Sequence, residues 1–189
     1  QMCIRDRLND LDDGKRLLQS MRKELGDLYG LALCGGRVPW KNEEHLTVQD
    51  WQNAFFELAI QPYNMALYFS QICAPKSRVV AVSSISSNYG GSTTSRHYGA
   101  AKAALESSFI GLSRKLTHEE ICINMVRAGF ILTPQQTKGR SQKEIDDRIA
   151  KIPFGRAGSA EEVANAFEFL FGKQSGFITG QCITVSGGD

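Results

Sequence analysis

The chain has 189 residues, of which 42% are hydrophobic and 22% charged, and its formal net charge is +2. These values are ordinary for one globular domain and give no reason to expect attraction to nucleic acid or to a membrane surface. Five cysteines occur without C-x-x-C spacing and three histidines without metal-ligand spacing, so we expect neither a metal site nor a dithiol redox motif. No apolar run approaches the length that spans a bilayer.

Short apolar runs alternate with longer segments in which apolar residues recur at helical spacing. This alternation predicts a parallel sheet with helices on both of its faces. In chain order, the predicted elements are a helix over 14–25, a strand over 29–33, a helix from about residue 50, a strand over 78–84, a helix over 96–116, a strand over 121–126, a helix over 160–171 and a strand over 181–186.

The stretch Tyr98-Gly-Ala-Ala-Lys102 carries the strongest chemical signal. On the predicted helix the two side chains lie one turn apart on the same face. A phenol titrates near pH 10, so acid–base chemistry at neutral pH requires its anion to be stabilised, and a nearby ammonium can do this. Ser84, at the end of a predicted strand, could hold a substrate oxygen at the same place. The plain alternative is an exposed pair on an Ala-rich helix, and Ser83 and Ser86 are alternative hydroxyls.

The order of these motifs resembles the short-chain dehydrogenase/reductase family, over nearly everything from about Leu8 to Asp189. Ser84 matches the family's serine, and Tyr98 and Lys102 match its Y-x-x-x-K motif. Residues 128–133, Ala-Gly-Phe-Ile-Leu-Thr, match the P-G-x-[IV]-x-T loop with Ala in place of Pro. The segments 152–163 and 176–188 resemble the family's last helix region and its closing strand.

The resemblance implies NAD or NADP as cofactor and a small alcohol or carbonyl compound as substrate. It implies that Ser84 orients the substrate oxygen, that Tyr98 is the acid–base group, and that Lys102 lowers the pKa of Tyr98 and holds the nicotinamide ribose. The cofactor-binding residues that it implies are Gly35, Gly36, Tyr98, Lys102, Gly129, Ile131 and Thr133, and the substrate-facing candidates are Ser86 and His97. Residues 138–148, which alternate in charge, are either a solvated helix face or a lid over the substrate.

Two positions depart from the family pattern. The usual N-N-A-G motif is replaced by Cys34-Gly35-Gly36, which keeps small residues near the cofactor but loses the amide side chains. An asparagine that often completes a proton relay falls at Leu58 when counted from Trp51. The relay is therefore in doubt, whereas the serine, tyrosine and lysine are intact.

The glycine-rich turn that would bind a pyrophosphate is not found near the start of the sequence. By the resemblance, the fold is an α/β Rossmann-type doubly wound parallel sheet that is incomplete, with its first three strands missing. Residues 1–7 resemble a translated sequencing adapter, so we expect them to be an artefact and residues 8–189 to be a partial catalytic domain. The strand over 29–33 would then lie at a sheet edge, and this fragment alone would be inactive.

The sequence favours a cytoplasmic oxidoreductase that transfers a hydride between nicotinamide and an alcohol or carbonyl compound. A sugar-nucleotide epimerase or dehydratase is an alternative, although the short segment after Pro134 leaves little room for a larger substrate domain. A non-catalytic dinucleotide-binding relative with a regulatory or scaffold role is a further alternative, favoured by Leu58 and by the altered Cys34-Gly35-Gly36 segment. The small-residue face of the helix over 97–116 predicts a homodimer or homotetramer of the full-length protein.

Overall fold

One parallel sheet of four strands organises the chain. The structure, a computed structural model, describes residues 10–36 and 40–189. The strands lie in the order β1-β2-β3-β4 and are Gly30–Leu33 (β1), Arg78–Ser84 (β2), Cys122–Ala128 (β3) and Cys182–Val185 (β4). Residues 1–7 lie outside the described residues, so their origin stays a prediction.

Eight α-helical segments connect and flank these strands within the described residues. They are Leu11–Leu25 (α1), Val48–Phe55 (α2), Gln61–Ile72 (α3), Ser86–Tyr89 (α4), Arg96–Leu116 (α5), Pro134–Thr137 (α6), Gln142–Ile149 (α7) and Ala160–Phe171 (α8). Capping boxes begin α1, α2, α7 and α8: the N-cap side chain and the acid three residues later each accept a bond from the other's backbone N–H. Local sequence therefore determines where these four helices start.

The sheet is covered by helices on both faces, which is why its central strands are almost wholly apolar. Val79 and Ala81 of β2 belong to a cluster with buried residues of α3 and α5. Val80, the residue between them, belongs to a second cluster with Phe167 and Leu170 of α8 on the opposite face. Alternate side chains of one strand thus enter two different cores, and the predicted doubly wound arrangement is confirmed.

The predicted elements agree with the structure apart from their ends. β2, α5 and α8 have the predicted bounds, whereas α1 begins at Leu11 and β3 continues to Ala128. The charged segment forms α7 over Gln142–Ile149, and its Ile145 is buried, so the helix has an inward face as well as a solvated one. β1 is an edge strand of the described sheet, as expected. No helix among the described residues is both long enough and apolar enough to cross a bilayer.

Replacing Leu105 on α5 with alanine should destabilise the full-length protein by about 2–5 kcal/mol, because the side chain is 1% exposed and its removal leaves a cavity. Lys115→Ala on the same helix is the control: Lys115 is exposed, so we expect a loss of less than about 1 kcal/mol. Urea unfolding followed by circular dichroism measures both. Equal losses for the two variants would contradict this packing of α5.

Candidate active site

The serine, tyrosine and lysine meet at the carboxyl end of the sheet. Ser84 is the last residue of β2, and Tyr98 lies in the first turn of α5. Both line one cleft of about 1340 Å³, together with Gly129, Ile131 and Thr133 from the segment after β3. Open parallel sheets bind their ligands at this edge, outside the carboxyl ends of the strands. The geometry therefore brings the predicted constellation together in a place suited to a ligand.

Lys102 lies beneath the cleft rather than in it. Its side chain is 4% exposed, and Nζ lies 5.9 Å from the centroid of the Tyr98 ring. Nζ donates a hydrogen bond to the Val82 carbonyl oxygen at 2.7 Å, which holds the ammonium against β2. Burial lowers the pKa of Lys102 from 10.5 to about 8, although the charge of Glu106 opposes that shift.

The phenol of Tyr98 is desolvated. Burial raises the pKa of this phenol above the ordinary value of 10, while a hydrogen bond from Ser84 acts in the opposite direction. Desolvation of the ring therefore outweighs that hydrogen bond. That the Lys102 ammonium lowers this pKa stays a prediction. Tyr98 is consequently a protonated group at neutral pH, as a proton donor must be.

The hydroxyls around Ser84 separate into different roles. Ser83 also lines the cleft, but its hydroxyl donates to Glu106 Oε1 of α5 at 2.5 Å and the residue is 1% exposed, so that hydroxyl is already used within the protein. Ser86 lines the cleft, its hydroxyl lies 3.2 Å from the Tyr89 hydroxyl, and its backbone N–H donates to Ser84 Oγ at 3.2 Å. Of the three serines, Ser84 and Ser86 therefore remain as candidates at the cleft.

His97 does not face the cleft, so the sequence-based suggestion that it contacts substrate is wrong. Its side chain is 2% exposed and its ring packs edge-on against Trp51, at a centroid distance of 6.3 Å. Neighbouring residues on a helix point in different directions, so the orientation of Tyr98 toward the cleft turns His97 into the protein.

Gly36 has a positive φ of 111°, and a Cβ there would collide with the Leu58 side chain. What the glycine accommodates here is Leu58, which is completely buried against Ala54 and Ala101, next to Tyr98. Gly35 is exposed, and a Cβ at that position would meet nothing. Cofactor binding by these two glycines therefore stays a prediction.

Leu58 lies on a π-helical turn, Phe56–Ile60, that joins α2 to α3. Such turns are frequent at functional sites. The signal that could have predicted it is Pro62, which has no N–H to donate to the Leu58 carbonyl four residues earlier. The leucine side chain itself has no group that could pass a proton.

A buried ion pair that sequence reasoning missed lies behind Ser84. Arg127 Nη2 donates to Glu106 Oε2 at 2.6 Å, and the two side chains are 18% and 12% exposed. Ser87 connects this pair to the site, because its hydroxyl lies 2.7 Å from both the Ser84 carbonyl oxygen and Glu106 Oε1. The sequence feature that could have predicted this ion pair is the position of Glu106, one turn after Lys102 on the predicted helix.

Comparison with known proteins defines the class. Doubly wound parallel sheets commonly bind dinucleotides at this edge. The family described as "Enoyl-(Acyl carrier protein) reductase" matches residues 8–189. The chain belongs to the short-chain dehydrogenase/reductase family.

Two curated relatives illustrate the match. The chain is 36% identical to "Uncharacterized oxidoreductase YgfF" of Escherichia coli over 110 residues, which cover 58% of this chain and 44% of that protein. It is 28% identical to "3-oxoacyl-[acyl-carrier-protein] reductase FabG" of Buchnera aphidicola over 184 residues, 95% of this chain and 75% of that protein. The matches thus span from under half to three quarters of these relatives' lengths.

Solved structures support the fold. A short-chain dehydrogenase/reductase from Serratia marcescens superposes with a TM-score of 0.88 at 21% identity, covering 95% of this chain and 72% of that one. A 7α-hydroxysteroid dehydrogenase complexed with NADH and 7-oxo glycochenodeoxycholic acid gives a TM-score of 0.88 at 20% identity, covering 98% and 72%.

We expect Glu106→Gln to destabilise the full-length protein by about 1–3 kcal/mol at neutral pH, because Arg127 loses its carboxylate. Burial alone would raise the pKa of Glu106, but hydrogen bonds from Arg127 and the two serines outweigh it and hold that pKa below 4.5. The ionised carboxylate therefore stabilises the fold above pH 4.5, and this contribution disappears as the pH falls through the lowered pKa.

Urea unfolding of wild type and Glu106→Gln at several pH values tests this prediction. The stability difference should narrow on acidification below pH 4.5. Glu168→Gln on α8, where the carboxylate is exposed, is the matched control and should stay close to wild type. A difference that is the same at every pH would contradict the assignment.

Proposed function

We propose that the full-length protein is an NAD(P)-dependent oxidoreductase that interconverts an alcohol and a carbonyl compound, with Ser84, Tyr98 and Lys102 as its catalytic residues. The observation that carries this proposal is the position of the phenol: it lines the cleft beside the Ser84 hydroxyl and directly above a buried ammonium. Proton transfer coupled to hydride transfer needs an acid–base group and an oxygen-orienting donor at one carbonyl.

The residues present fit a nicotinamide dinucleotide. Within the described part of the chain, Lys102 makes one hydrogen bond, so two further N–H donors of its ammonium are available for ribose hydroxyls. Thr133 begins α6 without a side-chain capping bond, which leaves its hydroxyl for a carboxamide. Ile131 and Gly129 line the same wall of the cleft. The nicotinamide supplies the hydride when bound, and the protein supplies position and charge.

In the reductive direction, the Ser84 hydroxyl donates a hydrogen bond to the substrate carbonyl oxygen and polarises it. As the carbonyl carbon accepts the hydride, Tyr98 donates its phenolic proton to the oxygen, which becomes the alcohol. The ammonium of Lys102 then stabilises the phenolate that remains. Burial of the phenol favours its protonated state before the step, and the cation favours the charged state after it.

A non-catalytic dinucleotide-binding protein is the second candidate, and one observation favours it. Leu58, at the position where the family's relay asparagine was expected, is fully buried and apolar. Reprotonation of Tyr98 in the proposed enzyme must therefore follow a route that does not use this side chain.

Assembly and location belong to the same proposal. The outward face of α5 carries small residues, Ala103, Ser107 and Gly111, beside the half-exposed Ile110, and we expect it to pair with a second copy of the chain.

The proposed location is the cytoplasm. Cys73, Cys122 and Cys182 are thiols, which agrees with a reducing compartment.

Replacing Tyr98 with phenylalanine should lower the turnover of NAD(P)H by about 10²- to 10⁴-fold, because the ring keeps its packing but loses its proton. Tyr68→Phe on α3 is the matched control: its hydroxyl accepts a bond from Gln19 on α1, remote from the cleft, and activity should be unchanged. Oxidation of NAD(P)H with a panel of aldehydes and ketones is the assay. Cofactor binding without turnover in wild type would favour the non-catalytic alternative.

The rate of reduction should depend on the charge of Lys102. Because its pKa is lowered to about 8, kcat/KM for reduction should be constant up to roughly pH 7 and decline above pH 8 as the ammonium loses its proton. The folded state should gain stability over the same range, since its lysine deprotonates before that of the unfolded chain. A profile that stays flat to about pH 10 would contradict the assignment.

A further inference from the structure

Arg140, in the segment between α6 and α7, is held against the cleft by two aromatic rings. Its guanidinium carbon lies 5.6 Å from the centroid of the Trp40 ring and 5.8 Å from that of Phe130. Cation–π contacts of this kind fix the position of a guanidinium without using its N–H donors. The side chain is half-buried and lines the cleft together with both rings.

Trp40 connects this arginine to the reacting position. Its ring lies 5.9 Å from the ring of Tyr98, centroid to centroid, at an interplanar angle of 57°. The phenol, the indole and the guanidinium therefore follow one another along one wall of the cleft. A substrate whose oxygen meets Tyr98 would extend across Trp40 toward Arg140.

Arg140 forms no ion pair with an acid within the described residues. Its Nη1 donates to Gln136 Oε1 at 3.0 Å, and no carboxylate lies at ion-pair distance there. Two other arginines nearby in the sequence differ: Arg148 pairs with Asp189, and Arg156 with Glu162. Arg140 thus offers a positioned cation to the cleft.

Glu144 also lines this cleft, and its charge interacts with that of Arg140. The Glu144 carboxylate forms no ion pair with that guanidinium within the described residues. It accepts bonds from the backbone N–H and the hydroxyl of Ser141, at 2.7 and 2.8 Å, and so caps α7. Asp147 lies on the exposed side of that helix, and Lys151 adds a further exposed positive charge at the cleft.

We propose that Arg140 binds an anionic group, a carboxylate or a phosphate monoester, on the far end of the carbonyl substrate, and that Trp40 packs against the carbon chain between that group and the carbonyl. This inference rests on the proposed oxidoreductase function and adds the substrate class to it. A guanidinium binds either anion through paired N–H donors, and here the rings orient it in advance.

Turnover of paired substrates by the full-length protein tests the proposal. The pairs are acetoacetate and levulinate with their methyl esters, and dihydroxyacetone phosphate with dihydroxyacetone, so that carboxylate and phosphate are distinguished. Wild type should prefer at least one anion over its neutral partner. Arg140→Gln should lower kcat/KM for that anion by about 10- to 100-fold, mainly through KM, and change the neutral partner by less than about 2-fold.

Two further variants separate a specific contact from a general effect of charge. Arg140→Lys keeps the charge and should retain part of the preference. Lys143→Gln removes one positive charge from the exposed face of α7, outside the cleft lining, and should leave the preference unchanged. Equal losses in Lys143→Gln and Arg140→Gln would overturn the proposal, as would a rise in KM for NADPH alone, which would assign Arg140 to the cofactor.

Direct binding distinguishes failure of this inference from failure of the proposed function. Of the two tryptophans in the 189 residues, Trp40 lines the cleft and Trp51 does not, so levulinate or inorganic phosphate should change the tryptophan fluorescence in an Arg140-dependent way, and Trp40→Phe should abolish this change. If no carbonyl compound is reduced, the oxidoreductase proposal fails, but an Arg140-dependent signal still supports the anion site. Turnover of anions and neutral partners at equal rates, without that signal, overturns the anion site and leaves the oxidoreductase intact.

Discussion

The packing of α5 across β2 and β3 is the contact on which the rest of the structure depends. The same helix supplies Leu105 and Phe109 to the main core and Tyr98 and Lys102 to the cleft. Core packing therefore determines the position of the proposed catalytic groups, since a shift of the helix would move both sets together. Gly99 permits this placement, because a Cβ there would lie 2.6 Å from the backbone where Gly90 meets Gly91.

Charge is distributed in two layers behind the cleft. Lys102 lies directly beneath Tyr98, and one turn further along the helix Glu106 pairs with Arg127 of β3. The ammonium donates to a backbone carbonyl oxygen, and its burial lowers its pKa to about 8. The carboxylate, in contrast, has several donors and stays ionised, which ties helix and sheet together.

The cleft has two walls of different character. Near the segment after β3 it presents backbone and small polar groups, as a dinucleotide requires, and Thr133 is one of them. The other wall is formed by aromatic rings from separate segments, Trp40, Tyr98 and Phe130, with Arg140 between two of them. In the proposed function, cofactor binding and substrate selection would therefore depend on different parts of the chain.

Local pattern in the sequence was sufficient for the strands, for α5 and for the Tyr98–Lys102 spacing, because periodicity and capping act over a few residues. The sequence also identified Leu58 as a departure from the family pattern. It did not predict the π-helical turn on which Leu58 lies. Only the tertiary structure decided that His97 turns inward and that the pKa of Tyr98 rises. Orientation and burial come from residues distant in the chain, and no local pattern records which of them will surround a given side chain.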